Sequence, residues 1–402
     1  MCMSRKPRYV TQPTESPIWV SEPFRVFFPF GILAAIFGLL LWPMHYFGWW
    51  PVYPGIQHPR ILIFGFGAAF VFGFLGTAWP RFLEAEALRA WELLGLVALW
   101  AAGQLSYAKV AIAGGDLFLA GACLWMLFVL GRRLTGSDRE MPPPGFAIAF
   151  LSVVLAGVTL LGWGLGWANR SPEVFHLYRL IGYQGFLLLP LLGVGSYLFP
   201  RFFPPGKNGR HAVHGSRRAF AVWFCAVLIL ISFFVEVFLS MRGGNGLRIL
   251  ALMVWVWGAV PMILAGRAPS TRAWSLRFGL AMILLAFLCR VIWPDKVFAF
   301  EHILFLCGFS QLILLVADRV AVGHGEDPAL IRPRSLRWRW IVWLMFLTAA
   351  TRATADLVPS TRVSHHIYAA IMLLAIFAIW WGENGKRLRR LPPNKMGESE
   401  TG

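Results

Sequence analysis

Charge is what this sequence has little of, and acidic charge least of all. Only 14% of its residues are charged, with 19 Asp and Glu against 37 Lys and Arg. A soluble globular domain carries roughly 25% charged residues, so the composition excludes one. Cysteine is thin as well. The five present (Cys2, Cys123, Cys225, Cys289 and Cys307) show no CxxC spacing and four fall in apolar stretches, which excludes a disulfide framework or a cysteine-bound zinc. Also missing are a CxxCH haem attachment, an HExxH motif, a P-loop and a Gly-rich dinucleotide fingerprint after a strand. Any haem is therefore expected to be non-covalent and held by histidine.

What is there is apolar length. The chain of 402 residues is 58% hydrophobic, with 20 Trp and 34 Phe. A spanning helix needs about 20 mostly apolar residues, and that length predicts spans at 24–46, 60–82, 90–108, 110–131, 145–168, 178–202, 218–240, 246–266, 273–293, 298–322, 338–357 and 364–382. The expected fold is all-α: one integral membrane domain over 1–402, a polytopic bundle of about twelve helices, with tails at 1–23 and 383–402. The basic, polar start runs straight into a multi-span chain, so no cleaved signal peptide is expected.

The net charge of +18 does not point to nucleic acid, because Arg and Lys concentrate in alternate loops. One set includes Arg25, Arg81, Arg132, Arg133, Arg201, Arg267, Arg337 and Lys386, whereas the other holds little beyond Arg60, Lys109, Arg170, Arg242, Lys296 and Arg362. This positive-inside pattern predicts a multi-pass membrane protein with both termini cytoplasmic. The basic excess reads as orientation and lipid contact.

The chain also echoes itself. A shift of 120 superposes Gly65 on Gly185, Gly73 on Gly193, Pro80 on Pro200, Arg81 on Arg201 and Phe82 on Phe202, and Arg319 lies 118 beyond Arg201. Three units of four helices are expected, over 24–131, 145–266 and 273–382. Repeats in membrane proteins point to a shared site between them.

Histidine falls on one side of that arrangement. His45, His58, His176, His302, His365 and His366 are predicted at the outer face, and His211, His214 and His324 at the inner. Imidazole is the commonest metal ligand. His58, His176 and His302 stand at or near the outer ends of the three repeat-related helices. Of the adjacent pair His365–His366 only one can point inward, since helical neighbours diverge by about 100°. Ionisable residues within spans are costly and face the bundle interior; they are Asp116, Glu236, Arg290, Glu301, Asp318, Arg319, Arg352 and Asp356. Arg352 and Asp356, four apart, are expected to pair. Glu301 cannot face its neighbour His302 and is expected to reach another helix.

These residues resemble the NnrS family of multi-span bacterial membrane proteins, associated with haem, copper and the nitric oxide response. The resemblance rests on PFRVFFPF at 23–30, on His58 leading to Gly65-Phe66, Gly73-Phe74-Leu75 and Pro80, loosely on 195–202, and on His302 followed by Arg319-Val320-Ala321-Val322-Gly323-His324. It implies non-covalent haem, with copper as a further cofactor, and a diatomic partner such as nitric oxide. The residues it implies by direct match are His58, His302 and His324, for the cofactor; the candidates for a metal are His58, His302 and, from the His365–His366 pair, His365. Glu301, Arg60, Arg319, His176 and Tyr197 are further candidates. Two departures stand out: Arg60-Ile61 replaces the second histidine and the glutamate of the family's HxHE, and Tyr197 stands where the family has arginine. His324 lies ~33 Å from His302 along one continuous helix, so the two cannot share a centre. Beside the haem- or metal-binding protein of nitric oxide stress or denitrification stand two alternatives. One is a transporter or channel, from repeats and buried charges; the other is a membrane oxidoreductase of haem-copper type.

Overall fold

A computed structural model describes residues 17–134, 143–203, 215–325 and 333–390. His211 and His214 lie outside the described residues, as do most of both tails. Every regular element among the described residues is helical. Twelve are long: α1 (Phe24–Tyr46), α2 (Gln57–Phe82), α3 (Ala90–Ala108), α4 (Ile112–Gly131), α5 (Gly145–Gly164), α6 (Pro172–Phe202), α7 (Ser216–Phe238), α8 (Met241–Ala259), α9 (Thr271–Ile292), α10 (Val297–Gly325), α11 (Leu336–Leu357) and α12 (Arg362–Arg389). Nine are both long and apolar enough to cross a membrane. The other three, α3, α8 and α11, run 19, 19 and 22 residues and carry more polar groups. Large apolar side chains such as Leu33, Phe220 and Trp257 stand on the outside of the bundle, as lipid contact requires. The protein is an all-α polytopic membrane bundle.

Boundaries differ from the apolar spans where capping and proline decide them. α8 starts five residues early, because the Ser240 hydroxyl accepts from the Gly243 amide, and stops at Ala259, just ahead of Pro261. α6 starts at Pro172 behind a Ser171 cap, so its polar first turns precede the hydrophobic stretch. α12 continues to Arg389, its last turns basic, which suits the negative end of a helix dipole.

In each block of four, the first helix packs on the second and the third on the fourth, and the fourth packs on the first helix of the next block: α4 on α5, α8 on α9, α12 on α1. The second helices, α2, α6 and α10, each contain a π-helical segment, at Ile61–Gly67, Leu180–Gly185 and Leu304–Ser310. Such segments are rare and occur often at functional sites. Tryptophans fasten the blocks: Trp255 of α8 and Trp380 of α12 donate their indole N–H to the Leu192 and Leu314 carbonyls of second helices, at 3.1 and 3.0 Å. Small residues allow one very close crossing. Gly145 of α5 and Gly193 of α6 meet backbone to backbone, with no room for a Cβ on either.

Candidate functional site

Because the helices alternate in direction, α2, α6, α10 and α12 all begin at the face opposite to the chain ends. The six histidines predicted together are therefore on that one face, but the helices divide them. His45 turns to the Trp50 carbonyl, with Nδ1 at 3.0 Å. His176 of α6 reaches the Glu236 carboxylate, Nε2 to Oε1 at 3.3 Å. His365 faces outward, its Nδ1 at 2.9 Å from the exposed Thr354 hydroxyl.

The other three converge. His58 of α2 has Nδ1 at 2.9 Å from the Gly38 carbonyl. His366 of α12 has Nδ1 at 2.7 Å from the Tyr46 hydroxyl. The Trp42 indole stands between them, 6.1 Å from the His58 ring and 4.8 Å from the His366 ring, centre to centre. His302 of α10 stands at the same end of the bundle, in the first turns of its helix. It is held by Arg352, with Nη2 at 3.0 Å from Nε2, and by Asp356 at 3.4 Å. The expected pair Arg352–Asp356 is present at 3.4 Å. His366 is 5% exposed and its Nε2 has no partner. Of the adjacent pair, α12 turns His366 inward, where Tyr46 and Trp42 of α1 receive it, and His365 stands beside Thr354.

The remaining sequence candidates are structural partners of buried charges. Arg60, where the family resemblance placed a histidine, lies against Asp116 at 2.9 Å, donates to the Tyr183 hydroxyl at 2.7 Å and stacks 3.3 Å over the Trp163 ring centre. Asp116 also accepts from the Tyr107 hydroxyl at 2.6 Å. Arg60 is thus paired with a buried carboxylate and stacked on an aromatic ring. Glu301 reaches across to α6, as expected, where Arg179 grips it at 3.0 and 3.1 Å and Gln184 donates at 3.2 Å. Glu236 binds Arg248 at 2.5 Å and Arg290 at 2.7 Å. Arg290 approaches Glu301 at 3.8 Å, so the two carboxylates and three arginines form one chain. Charges in lipid are tolerated when they face inward and pair, and here they join five helices.

His324 belongs to the terminal face, which carries the start of α1 and the end of α12. Its Nδ1 lies 2.9 Å from Glu22, whose other contacts are Arg25 at 2.5 Å and Arg81 at 2.7 Å. Burial pushes the Glu22 carboxyl up, but the hydrogen bond and charge of His324, then those of Arg25, outweigh it and hold the group at about 2. Arg25 also donates to the carbonyls of Arg387, Leu388 and Arg390, at 3.2, 2.7 and 2.8 Å. Arg319 is at the same face, in a cavity of about 320 Å³ with Arg201, Arg272 and Asp318. Tyr197 lies there too, beneath the Arg201 guanidinium 3.9 Å from its ring centre. Neither reaches the histidine group.

No set of three or more His, Cys, Asp or Glu side chains is arranged to hold a metal ion among the described residues. The donor chemistry fits haem, whose porphyrin brings four nitrogens and asks the protein for one or two imidazoles. A ligating histidine uses one ring nitrogen while a carbonyl or similar partner orients the other, and His58 and His366 each have Nδ1 so engaged.

A polytopic helical membrane protein with a half-buried imidazole group at one face is the class that fold and site define. Within it, the chain belongs to the NnrS family: the family model, described as NnrS protein, matches residues 18–390. No curated protein matches the chain.

Proposed function

We propose that this protein binds haem non-covalently in a bacterial inner membrane and acts in the response to nitric oxide. The observation that carries the reading is the Nε2 of His366, buried and unpartnered, in a group with the backbone-anchored His58. A buried polar atom without a partner costs free energy, which ligation would recover. His58 and His366 would hold the cofactor, and His302, itself fixed by Arg352 and Asp356, would stand at the same face. Bound haem supplies an iron position for a diatomic molecule, tuned by the axial ligand and its surroundings. The arginine-rich terminal face is then cytoplasmic and the histidine group periplasmic.

The test is the absorption spectrum and metal content of the detergent-purified full-length protein. A Soret band that disappears in His58→Ala is the expected result. A colourless, iron-free protein after expression with ample haem would overturn the reading.

A further inference from the structure

The second helices of the three blocks, with Phe28 of α1, line a partly open cavity of about 100 Å³ that starts at the π segment of α10, where Phe309 contributes. Phe70 and Phe74 of α2, Leu191 and Val194 of α6, and Ile313 and Val316 of α10 contribute to its wall, and none of the lining side chains is polar. The offset of 120 recurs here, pairing Phe70 with Pro190 and Phe74 with Val194, so repeat-related positions face one shared space. Its neighbours along the axis differ in chemistry. Towards the other end, Glu301 takes Arg179 and, from within the π segment of α6, Gln184, and the arginine-lined cavity holds Asp318 and Arg319, the next residues of α10 after Val316 and Ala317.

We propose that this chamber is a binding site for a small, uncharged, apolar gas molecule. The proposal rests on the haem reading for the view that a diatomic gas is the physiological occupant. An ion or polar solute would enter without a single hydrogen-bonding partner, a steep cost away from water. A cavity walled by Leu, Ile and Phe stays dry and takes up xenon or benzene at roughly 150 Å³, and this one shares the apolar wall at about 100 Å³. A gas that dissolves in the hydrocarbon of the bilayer reaches such a space without shedding a hydration shell. The chamber would keep a local store of the molecule between the helices that also carry His58 and His302.

Xenon is the probe. The structure of the full-length protein under xenon pressure is expected to show a xenon peak bounded by Phe70, Leu191 and Val316. Xenon NMR of the purified protein is expected to register the same uptake, reduced at least tenfold in Val316→Phe, whose ring would project into the space. No xenon in the wild-type chamber, or continuous acyl-chain density there, would overturn the proposal without needing any variant to fold. The absorption spectrum separates the two readings. Xenon uptake by a protein with no Soret band keeps the chamber and removes the haem, and a Soret band without xenon uptake does the reverse.

Discussion

Glu236 of α7 and Arg290 of α9 meet at 2.7 Å with both side chains sealed from solvent. Arg248 lies on the other carboxylate oxygen, so a single acid answers two buried guanidinium groups. Removing one partner of a buried pair leaves an uncompensated charge, at a cost of about 3–5 kcal/mol. Glu236→Gln is expected to lower the unfolding temperature in detergent sharply, and Glu236→Leu with both arginines replaced by methionine to recover much of the loss. An unchanged melting curve for the single variant would show that the cluster does not support the fold.

The turn of α12 gives a second expectation. His366→Ala is expected to abolish or shift the haem spectrum, whereas His365→Ala, on the exposed side beside Thr354, leaves it as in the wild type. Tyr46→Phe, which removes only the hydroxyl on Nδ1, is expected to shift the band without loss of haem. Spectra of the three variants at equal protein concentration decide this, and equal effects at positions 365 and 366 would contradict the geometry.

At the terminal face the expectation concerns pH. The folded value of Glu22, about 2, lies below its ordinary 4.5. Its contribution is therefore complete above about pH 4.5 and is lost as pH falls toward 2. Unfolding temperatures measured down that range are expected to fall more steeply in the wild type than in Glu22→Gln, which has nothing left to protonate there. Parallel curves would mean that the carboxylate is not engaged with Arg25, Arg81 and His324 in the folded protein.

The crossing of α5 and α6 offers a test of packing alone. A methyl group at Gly193 would strike the Gly145 carbonyl, and overpacking of this kind costs about 1–3 kcal/mol. Gly193→Ala is expected to lower the unfolding temperature, whereas Gly131→Ala, where a Cβ meets nothing, is expected to leave it within error. Calorimetry or a thiol-reactive dye assay on both variants measures the contrast.

How much of this could be read from residues alone follows the range of the interactions. Apolar length is local, so α1, α5 and α9 stand where hydropathy put them. Ends that depend on a cap, such as Ser240 at α8, moved by several residues. That the six histidines share one end of the bundle was legible, because each span reverses the chain. Their grouping was not, because it depends on which face of α12 meets α1. Glu236 and Arg290 stood out individually as charges among apolar neighbours, yet their partnership links residues on different helices, which no periodicity reports. Arg60 drew attention as a departure from a motif, and only the fold reveals that Asp116, Tyr107, Tyr183 and Trp163 are built around it. The π segments have no simple compositional sign, since they need only one extra residue in a turn.

The reach of Arg25 to the carbonyls at positions 387, 388 and 390 has a consequence for biosynthesis. Those acceptors stand at the end of α12, so the hoop of helices cannot shut until α12 has been made. Until then the flank of α1 that will receive α12 must be sheltered by lipid or by an insertion factor, and a chain cut short before α12 would remain an open arc.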